Sequence, residues 1–254
     1  MDELNDFLKN KKLPGRLLFA KVWGSRSHNT HKEDSDWDFS GVYMVDTRDF
    51  LGMTKVEETL AKEGEEKPDF AFHEVGKFCN LLLVGNPGIL EMLYTDKMCI
   101  TSPEWLALKA NRHLFLSKSA VSQYVGYAEG QLKRLKNGNC LHTKGCGYNE
   151  KWAYHLSRLL FDAERIVFSP ASGPLVWKDD GPERDYLMSI RHGGVSRGEV
   201  ERKAEQSIAR IKEGVERSKL PDTGNKEFLE DWLVDLRLNH LYTELKVKHY
   251  ESWH

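Results

Sequence analysis

The chain has 254 residues, 40% hydrophobic and 30% charged, with a formal net charge of -2 at pH 7. That length supports one large domain or two modest ones, and the balance excludes a disordered chain. Near neutrality also excludes a globally basic nucleic-acid binder, so any contact with RNA has to be a local patch.

No apolar run approaches bilayer length and the N-terminus MDELNDFLKNKK is too charged for a signal sequence, so no membrane contact and a cytoplasmic protein are expected. Residues 1–13 predict a short helix, with Leu4, Phe7 and Leu8 at the spacing of a buried stripe, ended by Pro14 and Gly15. Leu17 to Trp23 predicts a short apolar strand of the kind found centrally in a covered sheet. It stops at Gly24 and Ser25. Gly24 lets the backbone approach an anion closely, and Ser25 offers a hydroxyl and an N–H.

The following loop carries Arg26, His28, His31 and Lys32, groups able to help hold phosphates, while Asp34 braces the turn. Asp36 and Asp38 then precede the apolar run Val42 to Val45. On a strand they project to one side a few ångströms apart. Carboxylates that close repel unless a cation lies between them, and Mg²⁺ usually takes one or two carboxylates plus substrate phosphates. Read together, Gly-Ser and Asp-x-Asp form a nucleoside triphosphate site.

Residues 46–68 give a weak signal, with an exposed charged turn around Lys62 to Lys67. Asp69 to Glu74, DFAFHE, alternates as a half-buried strand with Phe70 and Phe72 on one face and Asp69, Ala71 and His73 on the other. A helix follows from Val75 to Leu83. Asn86 and Pro87 then suit the N-cap and first position of another, with Ile89, Leu90, Met92 and Leu93 inward and Glu91, like Lys77, on a solvated face. Pro103 closes this unit, which places a boundary near residue 105 and two domains at 1–105 and 106–254.

The remainder reads as helical. Ser119 to Leu135 has the helical period, and Lys136 to Tyr148 is a Gly- and Asn-rich loop. That loop holds Cys140, His142 and Cys146, spaced closely enough for zinc but lacking a fourth ligand. Together with Cys79 and Cys99 the cysteines read as reduced thiols. In the helix Glu150 to Phe168 the stripe Trp152, Leu156, Leu159, Ala163 and Ile166 faces inward. Lys151, His155, Arg158 and Asp162 run beside it, the first three a basic ridge that by charge pattern alone is a solvated face. Ala171 to Gly181 is a loop, Glu199 to Arg217 an amphipathic helix, and Asn225 to Tyr250 a last helix with Lys246, Lys248 and His249 in an exposed tail.

In this order Gly24, Ser25, Asp36 and Asp38 resemble the signature of the DNA-polymerase-β-like nucleotidyltransferase superfamily: strand, Gly-Ser, short helix, then Asp-x-Asp on the next strand. The run GKFCNLLLVGNPGILEMLY, the K-x-x-x-H-x-x-R-L-L pattern from Lys151 to Leu160 and SKLPD at Ser218 to Asp222 are similar to a bacterial and phage subfamily linked to RNA repair. The likeness runs from Leu17 to about Asp222. It implies an α+β fold: a small mixed β-sheet nucleotidyltransferase core with flanking helices, then an all-helical substrate-binding domain.

The resemblance further implies a third acidic residue on a later strand, for which Asp69 is the choice and Glu74 the runner-up. Asp36, Asp38 and Asp69 would hold two Mg²⁺ ions, with Mn²⁺ as a substitute, and Gly24, Ser25, Arg26, Lys151, His155 and Arg158 would meet the triphosphate or an RNA phosphate. The expected reaction moves a nucleoside monophosphate from an NTP such as ATP to a hydroxyl, releasing pyrophosphate. The expected acceptor is an RNA 3′ end, of a tRNA or a cleaved RNA. Alternatives are adenylylation of a small molecule or a protein, or a non-catalytic nucleotide-binding antitoxin or regulator.

Overall fold

A computed structural model describes residues 1–62, 68–138 and 147–251. Cys140, His142 and Cys146 lie outside them. The first elements are α1 (Asp2–Asn10), β1 (Arg16–Trp23), α2 (Gly24–Ser27), β2 (Asp38–Met44), α3 (Thr47–Leu51), β3 (Thr59–Lys62), β4 (Phe70–Glu74), α4 (Val75–Leu83), α5 (Pro87–Tyr94) and β5 (Cys99–Thr101). Helices α6 (Pro103–Ala110), α7 (Lys118–Asn137), α8 (Glu150–Phe168), α9 (Pro182–Arg191), α10 (Arg197–Arg217) and α11 (Lys226–Glu251) follow, with a short 3-10 turn at Arg112–Phe115. The fold is α+β, a mixed sheet followed by a helical region. No described helix is long and apolar enough to cross a membrane.

The sheet runs in the order β3-β4-β2-β1-β5. β2 lies antiparallel to β1 and parallel to β4, while β3 and β5 close the two edges antiparallel to β4 and β1. Side chains alternate between its faces, so each face collects its own core. One face gathers Ala20, Val22, Phe39, Tyr43, Phe70 and Phe72 under α1, whose Phe7 ring stacks on Phe39 at 4.5 Å. The other carries Phe19, Val42 and Met44 against Val75 and Phe78 of α4 and Trp105 of α6, with Phe19 and Trp105 stacked at 4.2 Å. Burying each such side chain is worth about 1.5–3 kcal/mol.

This second core continues into the helical region, through Tyr124 of α7 and Leu156 of α8 to Leu236 of α11. Residue 105, near which Pro103 placed a boundary, lies within α6. Helix α11 returns to the sheet: Arg237 donates to Glu74 Oε1 and to the Val45 carbonyl, and its own carbonyl accepts from Thr47 Oγ1.

Three local expectations need correction. Asp36 is not on the strand, which begins at Asp38. The loop expected from Lys136 is helix through Asn137, because Gly138 and not the first polar residue ends α7. The region with little signal contains α3 and β3, the latter too short to show a period.

Candidate active site

The β1–β2 ladder ends on the pair Trp23 and Asp38. Beyond Trp23 the chain turns through Gly24 at φ +67°, a left-handed conformation that glycine adopts without steric cost. The turn is close-fitting. A Cβ on Gly24 would stand 2.7 Å from Asp38 Oδ2, so the carboxylate occupies the space a side chain would fill. Ser25 is the next residue of α2, and the Ser27 hydroxyl donates back to the Gly24 carbonyl at 2.8 Å, holding this short helix closed.

β2 and β4 are parallel with Phe39 beside Phe70, and the Phe39 N–H donates to the Asp69 carbonyl at 3.0 Å. Both phenylalanines bury on the α1 face. One residue back, Asp38 and Asp69 therefore stand side by side at the same end of adjacent strands and on the opposite face. Glu74 is elsewhere. It closes the far end of β4, where Oε2 caps α4 by accepting from the Gly76 N–H at 2.7 Å and Oε1 takes Arg237. A buried carboxylate doubly engaged in this way is structural.

Asp36 is on the loop before β2, and Arg26 explains why. Its guanidinium donates to the carbonyls of Ser35 and Asp36 and lies 4.2 Å over the Trp37 ring, drawing those carbonyls away from a ladder partner. Asp36 thus becomes an exposed residue on the lip of an open groove of about 770 Å³ between α1 and the 33–37 loop. Phe7, Trp37 and Phe39 form its aromatic floor, and Glu3, Asp6, Glu33 and Asp34 add to its acidity against Lys11 and Arg26.

Among the described residues no three His, Cys, Asp or Glu side chains are gathered into a ligand set. The arrangement fits a different use. Asp38 and Asp69 share a register, and the absence of a side chain on Gly24 lets the Asp38 carboxylate close on the turn. That donor chemistry suits Mg²⁺ arriving with phosphate oxygens, which needs only one or two protein carboxylates.

A family model for the RNA repair pathway DNA polymerase beta family, RlaP, matches residues 1–235. The chain belongs to the RlaP family. The family's own description sets it among DNA polymerase beta relatives and in an RNA repair pathway. The chain is also 25% identical over 130 residues to an uncharacterized 38.9 kDa protein from the nrdC-mobD intergenic region of Enterobacteria phage T4. That match takes in 47% of this chain and 38% of the phage protein, so well under two thirds of the phage protein is covered.

The expected ridge on α8 of this RlaP chain divides by depth. Lys151 is exposed, His155 is mostly covered and Arg158 is buried. Arg158 Nη1 donates to Glu91 Oε1 and lies 3.7 Å from Asp162, so its charge is balanced inside the protein. The solvated-face reading fails here because α7 and α10 pack against α8 and leave little of its surface to solvent. Burial, followed by the neighbouring Arg158 charge, holds His155 down at about 3 and His28 well below the usual histidine value. Both rings are neutral at pH 7.

Glu91, which the sequence placed on a solvated face, is the hub of this interior network. It is 1% exposed, with His28 Nε2 3.7 Å away. From Asp162 the chain of charges continues to Lys178 at 3.1 Å and on to Glu183 at 2.7 Å. His28 Nδ1 meets the Val176 carbonyl at 2.9 Å, and Thr30 Oγ1 meets Tyr154 OH at 2.6 Å. The network therefore fastens the end of α2 to the helical region. One signal was available: an acid amid Ile89, Leu90, Met92 and Leu93 sits on a helix apolar all round, where a carboxylate requires a buried partner.

Proposed function

We propose that the protein transfers a nucleoside monophosphate from an NTP to a hydroxyl at an RNA end, with release of pyrophosphate. The observation that carries this reading is the close approach of the Asp38 carboxylate to the Gly24 turn, at the same strand end as Asp69. Gly24 and Ser25 bond the phosphates, and Asp36 and Arg26 border a neighbouring groove. Asp69, beside Asp38, accepts the proton of the attacking hydroxyl. Asp38 and Asp69 would hold Mg²⁺, with Mn²⁺ as a substitute, together with substrate phosphates, and the ion would supply charge stabilisation to the transfer. Lys151 is the ridge residue in solvent and the one assigned to a phosphate. His155 and Arg158 act from behind it, as part of the frame.

A second reading rests on the groove beside Asp36, whose carboxylates outnumber Lys11 and Arg26. That lining favours a cationic, amine-bearing small molecule as acceptor. Incubation of the full chain with labelled NTPs, Mg²⁺ and total cellular RNA tests both. Label in RNA, lost at least about a thousand-fold in Asp38→Asn with folding intact, is the expected result. Label only in small molecules selects the second reading, and full transfer by Asp38→Asn rejects the site.

A further inference from the structure

A second cavity, of about 240 Å³, lies at the other end of α2, with Ser27 in its wall about one helical turn from Gly24. Three segments enclose it: Tyr94 to Lys97, Arg112, and Ser172 to Asp179. Its polar and aromatic groups come in pairs. Lys97 Nζ stands 4.3 Å over the Trp177 ring, and the Arg112 guanidinium stands 5.0 Å from the Tyr94 ring centre.

The acids of this cavity are already matched, Asp96 to Lys109 at 2.6 Å and Asp179 to Lys97 at 3.9 Å. Arg112 is not: among the described residues no carboxylate pairs with it. A guanidinium with five donors, poised on an aromatic wall and lacking an anion, is complementary to a ligand bearing an oxyanion and a flat ring. Nucleotides have both.

The walls are built at some conformational cost. Met98, directly after Lys97, has φ +56°, an outlier for a long side chain and the kind of strain that gathers at ligand sites. Gly173, at φ +59°, lets the 170–174 turn sit against Tyr94, since a Cβ there would overlap the ring. Hydrogen bonds from Lys178 N–H to the His28 carbonyl at 3.2 Å and from Asn29 Nδ2 to the Lys178 carbonyl at 2.9 Å fix the outer wall to the end of α2.

We propose that this cavity seats a nucleotide unit at the end of the acceptor RNA, with Arg112 on its phosphate and Tyr94 and Trp177 beside its base. Aromatic stacking with a basic neighbour is the general means of holding single-stranded nucleic acid without reading its sequence. The proposal rests on RNA as acceptor and assigns where the strand lies relative to Gly24.

Fluorescence anisotropy of the full chain with a short labelled oligoribonucleotide tests it without catalysis. Wild type should bind, and Arg112→Ala and Trp177→Ala should each weaken binding roughly ten-fold or more. Arg112→Lys should also weaken it, because an ammonium keeps the charge but lacks the planar fork. Melting temperature and Mg-NTP affinity should stay at wild-type values in the arginine variants. Oligonucleotide affinity unchanged in Arg112→Ala, or no binding by wild type, overturns the assignment. So does displacement by a free nucleoside monophosphate at the concentration at which the unlabelled strand competes. The transfer reading fails separately: RNA binding that depends on Arg112, with no pyrophosphate released from any NTP, removes the reaction and keeps the seat.

Discussion

Two charged regions lie at the two ends of the helix α2 and its following turn, and they are put to opposite uses. Around Glu91, the buried carboxylates of Glu91 and Asp162 are paired with Arg158 and Lys178, beside the neutral ring of His28. At the strand ends, Asp38 and Asp69 are half-buried and Asp36 is exposed, beside the Gly24 turn. A charge enclosed with its partner holds the fold, whereas one that keeps an open side can meet a ligand. Depth, rather than residue type, separates frame from site.

The most disruptive way to break that comparison is to delete a partner in the interior. Arg158→Ala leaves Glu91 buried without its main cation, and should cost about 3–5 kcal/mol in a urea titration. A loss under 1 kcal/mol would mean that the region is wetter than its burial indicates. The same variant should lose activity only in proportion to its unfolded fraction if Arg158 acts through the frame.

At the open end the expected stability effect is smaller and the activity effect larger. Gly24→Ala forces a side chain into the left-handed region, costing about 1–2 kcal/mol, and places a methyl against Asp38 Oδ2. The melting temperature should fall by a few degrees while pyrophosphate release falls far more. Equal losses in both would make the glycine only a turn residue.

The smallest effect sharpens the contrast through pH. His28 and His155 have folded pKa values below the ordinary 6.5, His155 at about 3, so below 6.5 the unfolded chain binds protons the folded chain refuses. Their contribution is fully present above pH 6.5 and falls as pH drops below it, that of His155 being lost as pH falls through about 3. Each buried ring should add a slope of up to about 1.4 kcal/mol per pH unit. Urea midpoints measured at pH 7 and 5.5 should converge in His155→Gln. An unchanged slope would show the ring to be titrating freely.

Much of the sheet was legible because its strands are short and apolar and its best half-buried strand keeps period two: Phe70 and Phe72 are buried as the alternation required. Asn86 and Pro87 open α5 as expected, with Asn86 Oδ1 accepting from the Ile89 N–H. The Asp-x-Asp pair was expected on one strand, whereas only Asp38 lies on β2. Nothing in the spacing of Asp36 and Asp38 discloses that Arg26 takes the carbonyls of Ser35 and Asp36 and so starts β2 two residues late.

The order of Gly24, Ser25, Asp36, Asp38 and Asp69 and the family to which they belong were settled by local chemistry, since glycine freedom, strand period and carboxylate type are properties of short segments. Tertiary structure alone decided that Glu91 and Arg158 face each other, 67 positions apart, and that Glu74 belongs to Arg237 and not to a ligand. Charged side chains take their roles from what encloses them, and enclosure comes from distant segments that no local pattern records.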